Sequence, residues 1–440
     1  MAVKGARDYR PKLHFTPEKG WINDPNGLIY DGKQYHLFAQ YYPHDTKWGP
    51  MHWLHAVSDD MIHWKDQSVA LAPDHLGMIF SGSAAMLNGQ VALMYTSHGD
   101  CEQQSVAFTE DGKTFTPYAG NPVIKNPGEK DYRDPKLFWN AARGMYGVSV
   151  AAGDHVEFFA SADLVNWEKT GEFSDQVNVP GIHECPDLVQ LALPSGEKQW
   201  MMVASMIHNG NRTQYVLGDF DGDKFVLKDP FPQIEYMDKG WDNYAPVSFW
   251  GTEKPTFMGW ASNWLYADRL PQNEYCGMMT LPRNAFLVNT GAGVRMGFCP
   301  VEQAEAQFGA AQTIRGTAAL DGETFRIRVK GNKPFEVKLF NDSGEELTIC
   351  RTAEEFIVDR RKAGEAGAAH EIVGDVYGVS REQILLPEDG EMEIVFDVSI
   401  LEVYADGGIF TATDAVFPTK AYTHVSVMGA EADIAFAKCE

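Results

Sequence analysis

Apolar and polar positions along the chain repeat on a scale of about fifty residues. Four stretches carry the repeat: "AVSDDMIHW" ending at Trp64, "AFTEDGKTF" ending at Phe115, "FASADLVNW" ending at Trp167 and "LGDFDGDKF" ending at Phe225. Each reads as the end of a strand, an acidic turn, and an aromatic residue that opens the next strand. The closing aromatics stand 51, 52 and 58 residues apart, the size of a propeller blade of about four strands. Between them lie short apolar runs such as "VALMYTS", "GMYGVSVAA" and "QWMMVASM", rich in the β-branched and aromatic residues that strands favour. Long helical periodicity is nearly absent. With a fifth unit through "YAPVSFWGTEKPTFMGWASNW", residues 1–297 are expected to form a five-bladed β-propeller. Trp64, Phe115, Trp167 and Phe225 are expected in the blade cores.

The pattern changes after residue 297. All eleven Trp residues lie at or before Trp264. Residues 298–311, containing "VEQAEAQFGAA", read as a linker with a short helical turn. Beyond it, "TFRIRVKGNKPFEVKLF" and "EMEIVFDVSILEVYADGG" alternate with period two, as strands with one buried face do. Residues 312–440 are therefore expected to form a separate β-sandwich, and the fold class is all-β. This second domain is a candidate dimerisation surface or a brace for the propeller, and the sequence leaves both open. The segment "RRKAGEAGAAHEIVGDVYGV" within it fits no pattern.

Composition narrows the partners. The chain has 440 residues with 37 Lys and Arg against 61 Asp and Glu, a formal charge of −24. Nucleic acid and anionic membrane surfaces need a basic footprint, so neither is expected as a partner. No apolar run approaches the roughly 18 residues of a membrane helix, and no signal-peptide pattern opens the chain. The six cysteines are scattered without a C-x-x-C pair, which argues against zinc and against a disulfide framework. The expected location is cytoplasmic.

Chemistry is concentrated where carboxylates meet prolines. Asp24 in "WINDPNG", Asp134 in "YRDPKLFW" and Glu184 in "HECPDLV" each lie within two residues of a Pro, just before a strand-like run. Asp-Pro and Asn-Gly alone mark turns. A propeller, however, gathers the inner strands of its blades around one axis, so three such residues from separate blades can share one funnel. Glycoside cleavage needs such a set: one carboxylate attacks the anomeric carbon while a protonated carboxyl donates to the leaving oxygen. In retaining enzymes the two stand about 5–5.5 Å apart. A short, low-pKa Asp suits attack, and a longer Glu suits proton donation. Trp21, Trp48, Phe80 and Trp264 are candidate flat walls for a sugar ring. "HECP" lacks a second nearby ligand and is not expected to bind metal. His52, His55 and His63 are expected to be surface or satisfied core residues.

"WINDPNG", "RDP" and "ECPD", in that order, resemble the signature motifs of glycoside hydrolase family 32, the family of invertases, fructan β-fructosidases and sucrose-6-phosphate hydrolases. "FAQYYP", "KWGPMHW", "FSGSA", "WDNYAP", "MGWASNWLYADRLP" and the C-terminal "FDVSILEVYADGGIFTATDAVFP" extend the resemblance over nearly the whole chain. It implies a propeller followed by a sandwich, and retaining hydrolysis of terminal β-fructofuranosides such as sucrose and short fructo-oligosaccharides. A sucrose-6-phosphate hydrolase and a fructan exo-β-fructosidase are the alternatives, with a non-catalytic carbohydrate-binding propeller more remote. Carried over by residue, Asp24 is the nucleophile, Glu184 the general acid/base and Asp134 the transition-state stabiliser. Asn23, Gln40, Trp48, Phe80, Ser81, Arg133, Tyr244 and Trp264 line the fructose pocket. Arg133 is expected to help keep Asp134 ionised. No cofactor or metal is implied, and EDTA should not inhibit. "WDNYAP" and "NEYCGMM" depart from the family's commoner patterns, the second in a region that can face the leaving group.

Overall fold

The computed structural model describes residues 7–438 apart from 176, 178, 208–209, 229–233, 272–273 and 365–376. The unmatched segment of the second domain falls largely in the last of these gaps, and Cys439 lies outside the described residues. The five described cysteines are all free. The architecture is all-β: a five-bladed propeller and a C-terminal sandwich-like sheet. By contacts the chain forms two compact units. One is Pro17–Met237 with Tyr244–Trp260; the other is Met1–Thr16, Asp238–Asn243 and Ala261–Glu440. These interleaved units are a different partition from the continuous spans expected from composition.

In the first unit four blades have four consecutive antiparallel strands each, beginning at Gly20, Met78, Tyr132 and His183. The fifth opens with the hairpin Tyr244–Ser248 and Thr256–Trp260. The inner strands form a ring, each packed against the next, and Tyr244–Ser248 returns to Gly20–Tyr30. Cores lie between blades rather than within them. Ala84 and Leu93 face the first blade's Phe38 and Trp53, whereas the adjacent Ala85 and Met94 face the third blade's Leu137 and Val148. Burial on both faces explains why these runs are continuously apolar rather than alternating.

The repeated acidic turns have one physical basis. Asp60, Asp111, Asp163 and Asp221 each stand four residues before the repeat's aromatic and accept two backbone N–H groups of the turn at 2.7–3.0 Å. These bonds favour the carboxylate form and hold all four below the usual carboxylate range. Phe115 and Phe225 are buried, and Trp64 and Trp167 are partly buried with indole N–H groups donating into their own turns.

The second unit carries a ten-stranded sheet. Its long strand His424–Phe436 pairs with Phe335–Phe340 along its first half and with Thr324–Lys330 along its second. Gly429, at φ 82°, marks the change of partner. A Cβ there would lie 2.5 Å from the Pro334 carbonyl oxygen, so only glycine fits. Inward residues such as Ile327, Val337, Ile349, Ile394 and Val403 form one core, matching the period-two pattern. The linker contains the short helix Glu302–Glu305.

Candidate active site

Every inner strand of the propeller slips register near its start. The slips fall between Ile22 and Pro25, Phe80 and Gly82, Glu184 and Asp187, and Tyr244 and Val247, and opposite Arg133–Lys136 in the third blade. The residues that slip out of the pairing are Asn23-Asp24, Ser81, Asp134-Pro135, Cys185-Pro186 and Ala245-Pro246. Proline has no N–H to remove from the ladder, so a bulge on it wastes no donor. Asp134, Cys185 and Ala245 take left-handed φ values of 62°, 46° and 50°, a cost of about 1–3 kcal/mol each. The surroundings hold that strain. Gly82 N–H donates to Asn26, Asp134 N–H to Thr96 Oγ1, Cys185 N–H to Asp134 Oδ2 and Ala245 N–H to Ser205 Oγ, at 2.9–3.1 Å. Each acceptor belongs to the preceding blade. Bulges re-aim side chains, and here they turn residues of all five blades toward one centre.

The centre is acidic. Asp24 Oδ2 accepts from Ser81 Oγ at 2.7 Å. The Cys185 thiol stands 3.7 Å from that oxygen and 3.6 Å from Asp134 Oδ2. Among the described residues, Asp24 Oδ1 is buried with no hydrogen-bond partner. Glu184 accepts from Arg133 through one oxygen at 2.8 Å and from the Tyr244 hydroxyl through the other. Burial raises the Asp24 carboxyl above its ordinary value; the Ser81 bond opposes this and the Glu184 charge adds to it. Asp134 is pushed up to about 7 by burial, against the pull of Arg133 and with Glu184 and Asp24 adding to the rise. Burial beside these carboxyls also holds the Cys185 thiol and the Tyr244 hydroxyl neutral, far above their usual values.

Arg133 pulls Asp134 toward the anion, as expected, but from 4.0 Å and less strongly than burial raises it, and its terminal nitrogens serve Glu184, Glu102 and Asp131 at 2.8–3.2 Å. One expectation is corrected: Asp24 is not a low-pKa carboxylate, because it is desolvated beside another charge.

Asn23 is buried and accepts the Trp21 indole N–H at 2.8 Å; Trp21 itself is 1 % exposed and packs on Trp260. Trp21 thus backs the site instead of walling it. Gln40 is buried and donates to the Ile79 carbonyl. Trp48 is 46 % exposed and meets the edge of the partly buried Phe80. Trp264 belongs to the second unit and is partly buried. His55 departs from expectation: it is buried, pairs with His36, and its Nδ1 has no partner among the described residues. Four participants carried no sequence signal of a role at the centre: Thr96, His98, Glu102 and Asp131. Cys185 was visible only as a neighbour of Glu184.

His183 is buried and bonds the Val179 carbonyl. Among the described residues, His155, Glu157 and Glu172 lie close enough to hold an ion, within 4.8 Å of one another. The Lys169 ammonium bonds both glutamates there, at 2.5 and 3.1 Å, which offsets one of their two charges.

The profile of the "Glycosyl hydrolases family 32 N-terminal domain" matches residues 14–295, and that of the "Glycosyl hydrolases family 32 C terminal" matches residues 301–440. A levanase of Bacillus subtilis is 34 % identical over 94 % of this chain and 67 % of its own length. An invertase of Schwanniomyces occidentalis is 38 % identical over 64 % of this chain and 58 % of its own. The crystal structure of an exo-inulinase from Aspergillus awamori superposes with a TM-score of 0.88 at 28 % identity, covering 98 % of this chain and 99 % of that one. The motifs, the bulged propeller and these matches agree: the chain belongs to glycosyl hydrolase family 32.

Proposed function

We propose that this member of the family, a β-fructofuranosidase, releases terminal non-reducing fructose from sucrose and short fructo-oligosaccharides by double displacement. Asp24 attacks the anomeric carbon of the terminal fructosyl unit while Glu184 gives its proton to the glycosidic oxygen, which leaves. Glu184 then takes a proton from water. That water oxygen attacks the same carbon and frees Asp24, so configuration is retained. Asp134 accepts hydrogen bonds from fructosyl hydroxyls as positive charge develops at the ring. Asn23, Gln40, Trp48, Phe80, Ser81, Arg133 and Tyr244 line the fructose pocket. The location we assign is cytoplasmic.

One observation carries the reading. Asp24, Asp134 and Glu184, from three blades, are turned by bulges to one centre, and Asp24 keeps one buried oxygen without a hydrogen-bond partner among the described residues. A second reading, a fructan exo-hydrolase, is favoured by the levanase and exo-inulinase relatives. Initial rates of fructose release from sucrose, 1-kestose, inulin, levan and sucrose-6-phosphate, with Asp24→Asn as blank, separate the readings. Fastest turnover of sucrose or 1-kestose is expected. Fastest turnover of inulin or levan moves the assignment to the fructans. No release from any of them contradicts hydrolysis.

A further inference from the structure

We infer that Glu102 and His98 are positioning residues that act on Glu184 through Arg133; the inference rests on reading Glu184 as the acid/base. They face each other across a hairpin, where His98 pairs in register with Glu102. Both Glu102 oxygens stand 3.2 Å from one terminal nitrogen of Arg133, and Asp131 accepts from the same nitrogen at 2.8 Å. That nitrogen carries two hydrogens, so the two carboxylates use it fully. The other terminal nitrogen is left to donate to Glu184 Oε1 at 2.8 Å. The guanidinium is planar, and fixing one terminal nitrogen orients the other.

His98 secures Glu102 in turn. Its Nδ1 is 3.1 Å from Glu102 Oε1, and its ring lies flat on Phe80 with centroids 4.0 Å apart and planes at 13°. Phe80 also meets Trp48. An unbroken line of contacts therefore runs from the aromatic wall through His98, Glu102 and Arg133 to Glu184. Without Glu102, Arg133 would keep Asp131 and have Asp134 as a competing partner, and its aim at Glu184 would loosen.

A purely structural ion cluster would affect all substrates alike, whereas a cluster that aims the acid matters only when the leaving oxygen needs a proton. Sucrose and 1-kestose expel poor sugar-alkoxide leaving groups and need it; 4-nitrophenyl β-D-fructofuranoside releases a stabilised phenolate and does not. The experiment compares kcat/KM for these substrates in wild type, Glu184→Gln, Glu102→Gln and His98→Phe. General acid catalysis contributes roughly 10²–10⁴-fold, so Glu102→Gln should lose about tenfold or more on sucrose and less than about threefold on the nitrophenyl fructoside. His98→Phe keeps the stack on Phe80 but loses the Glu102 contact, and should show a smaller loss with the same selectivity. It decides alone if Glu102→Gln does not fold. If Glu184→Gln is itself not selective, the acid assignment fails. If Glu184→Gln is selective while the other two variants lose equally on all substrates, or lose nothing, the positioning role is overturned.

Discussion

Around Arg133, one guanidinium serves Glu184, Glu102 and Asp131, with Asp134 at 4.0 Å and Asp24 beyond it. Around Arg283 in the second unit, charges are closer to balance. Arg283 donates to Asp238 at 2.9 Å and Glu402 at 2.8 Å, and His14 pairs with Asp397 at 2.8 Å and lies 3.5 Å from Glu402. Both clusters are buried and use the same residue types. Asp24 and Asp134 nevertheless shift in the opposite direction to Glu402 and Asp397, whereas Glu102, held by His98 and Arg133 against burial, is lowered. Asp24 and Asp134 are raised because burial and mutual repulsion outweigh their partners. Glu402 is drawn down to about 2 and Asp397 is also lowered, because Arg283, His14 and backbone N–H groups outweigh burial. The second arrangement serves stability. The first leaves negative charge under-compensated where an oxocarbenium-like centre would form, which a structure selected for stability alone would not keep.

The largest expected effect breaks the first cluster. Asp24→Asn should lower kcat by about 10⁴-fold or more, as removal of a nucleophile does, with no loss of melting temperature because it removes a repelling charge. A parallel fall in Tm would contradict the comparison. The second cluster should respond in the opposite way. Arg283→Met leaves Asp238 and Glu402 buried without their guanidinium partner, and should cost about 3–5 kcal/mol in denaturant unfolding; a loss under about 1 kcal/mol would mean that the cluster is not cohesive.

Sequence and structure diverge at a definite point. The acidic turns were legible because Asp60, Asp111, Asp163 and Asp221 bond only to their own turns, and local geometry is written in local sequence. Asp24, Asp134 and Glu184 were legible because the bulges that aim them carry proline beside them. What Arg133 touches was not legible. Its partners come from three different blades, and the distance between Glu102 and Glu184 in sequence carries no sign of their meeting on one guanidinium. The assignment of Trp21 as a wall failed for the same reason: an indole beside a nucleophile can face the sugar or the core, and only packing against Trp260 decides. The partition of residues 238–243 was equally hidden, since Asp238 and Asp242 are fixed by Arg283 and Arg360 far along the chain.

Titration sharpens the contrast with smaller effects. As the proposed nucleophile Asp24 must be ionised to attack, so its raised pKa should move the acidic limb of kcat/KM upward, above the roughly 3.9 of an ordinary aspartate. A pH–rate profile with its acidic limb at or below that value would remove the claim of under-compensation. For His14, burial lowers the pKa, but the bonds to Asp397 and Glu402 win and raise it to about 9. The folded pKa exceeds the unfolded value of about 6.5. Its contribution to stability is therefore complete below about pH 6.5 and lost as pH rises through about 9. Melting temperatures should decline over that interval, and His14→Asn should flatten the decline. His55 has the reverse sign: burial, then the neighbouring His36, hold it down at about 3, so its penalty grows as pH falls below about 6.5. His55→Phe should soften the acid loss of Tm.

The most direct test of the central claim is to trap the covalent intermediate. Glu184→Gln incubated with 4-nitrophenyl β-D-fructofuranoside, then quenched in acid and digested, should yield a fructosylated peptide identified by mass spectrometry. The account predicts one fructosyl group on the peptide carrying Asp24, and none in the Asp24→Asn, Glu184→Gln double variant. A fructosyl group on the Asp134 peptide, or nitrophenolate release without any adduct, would contradict it.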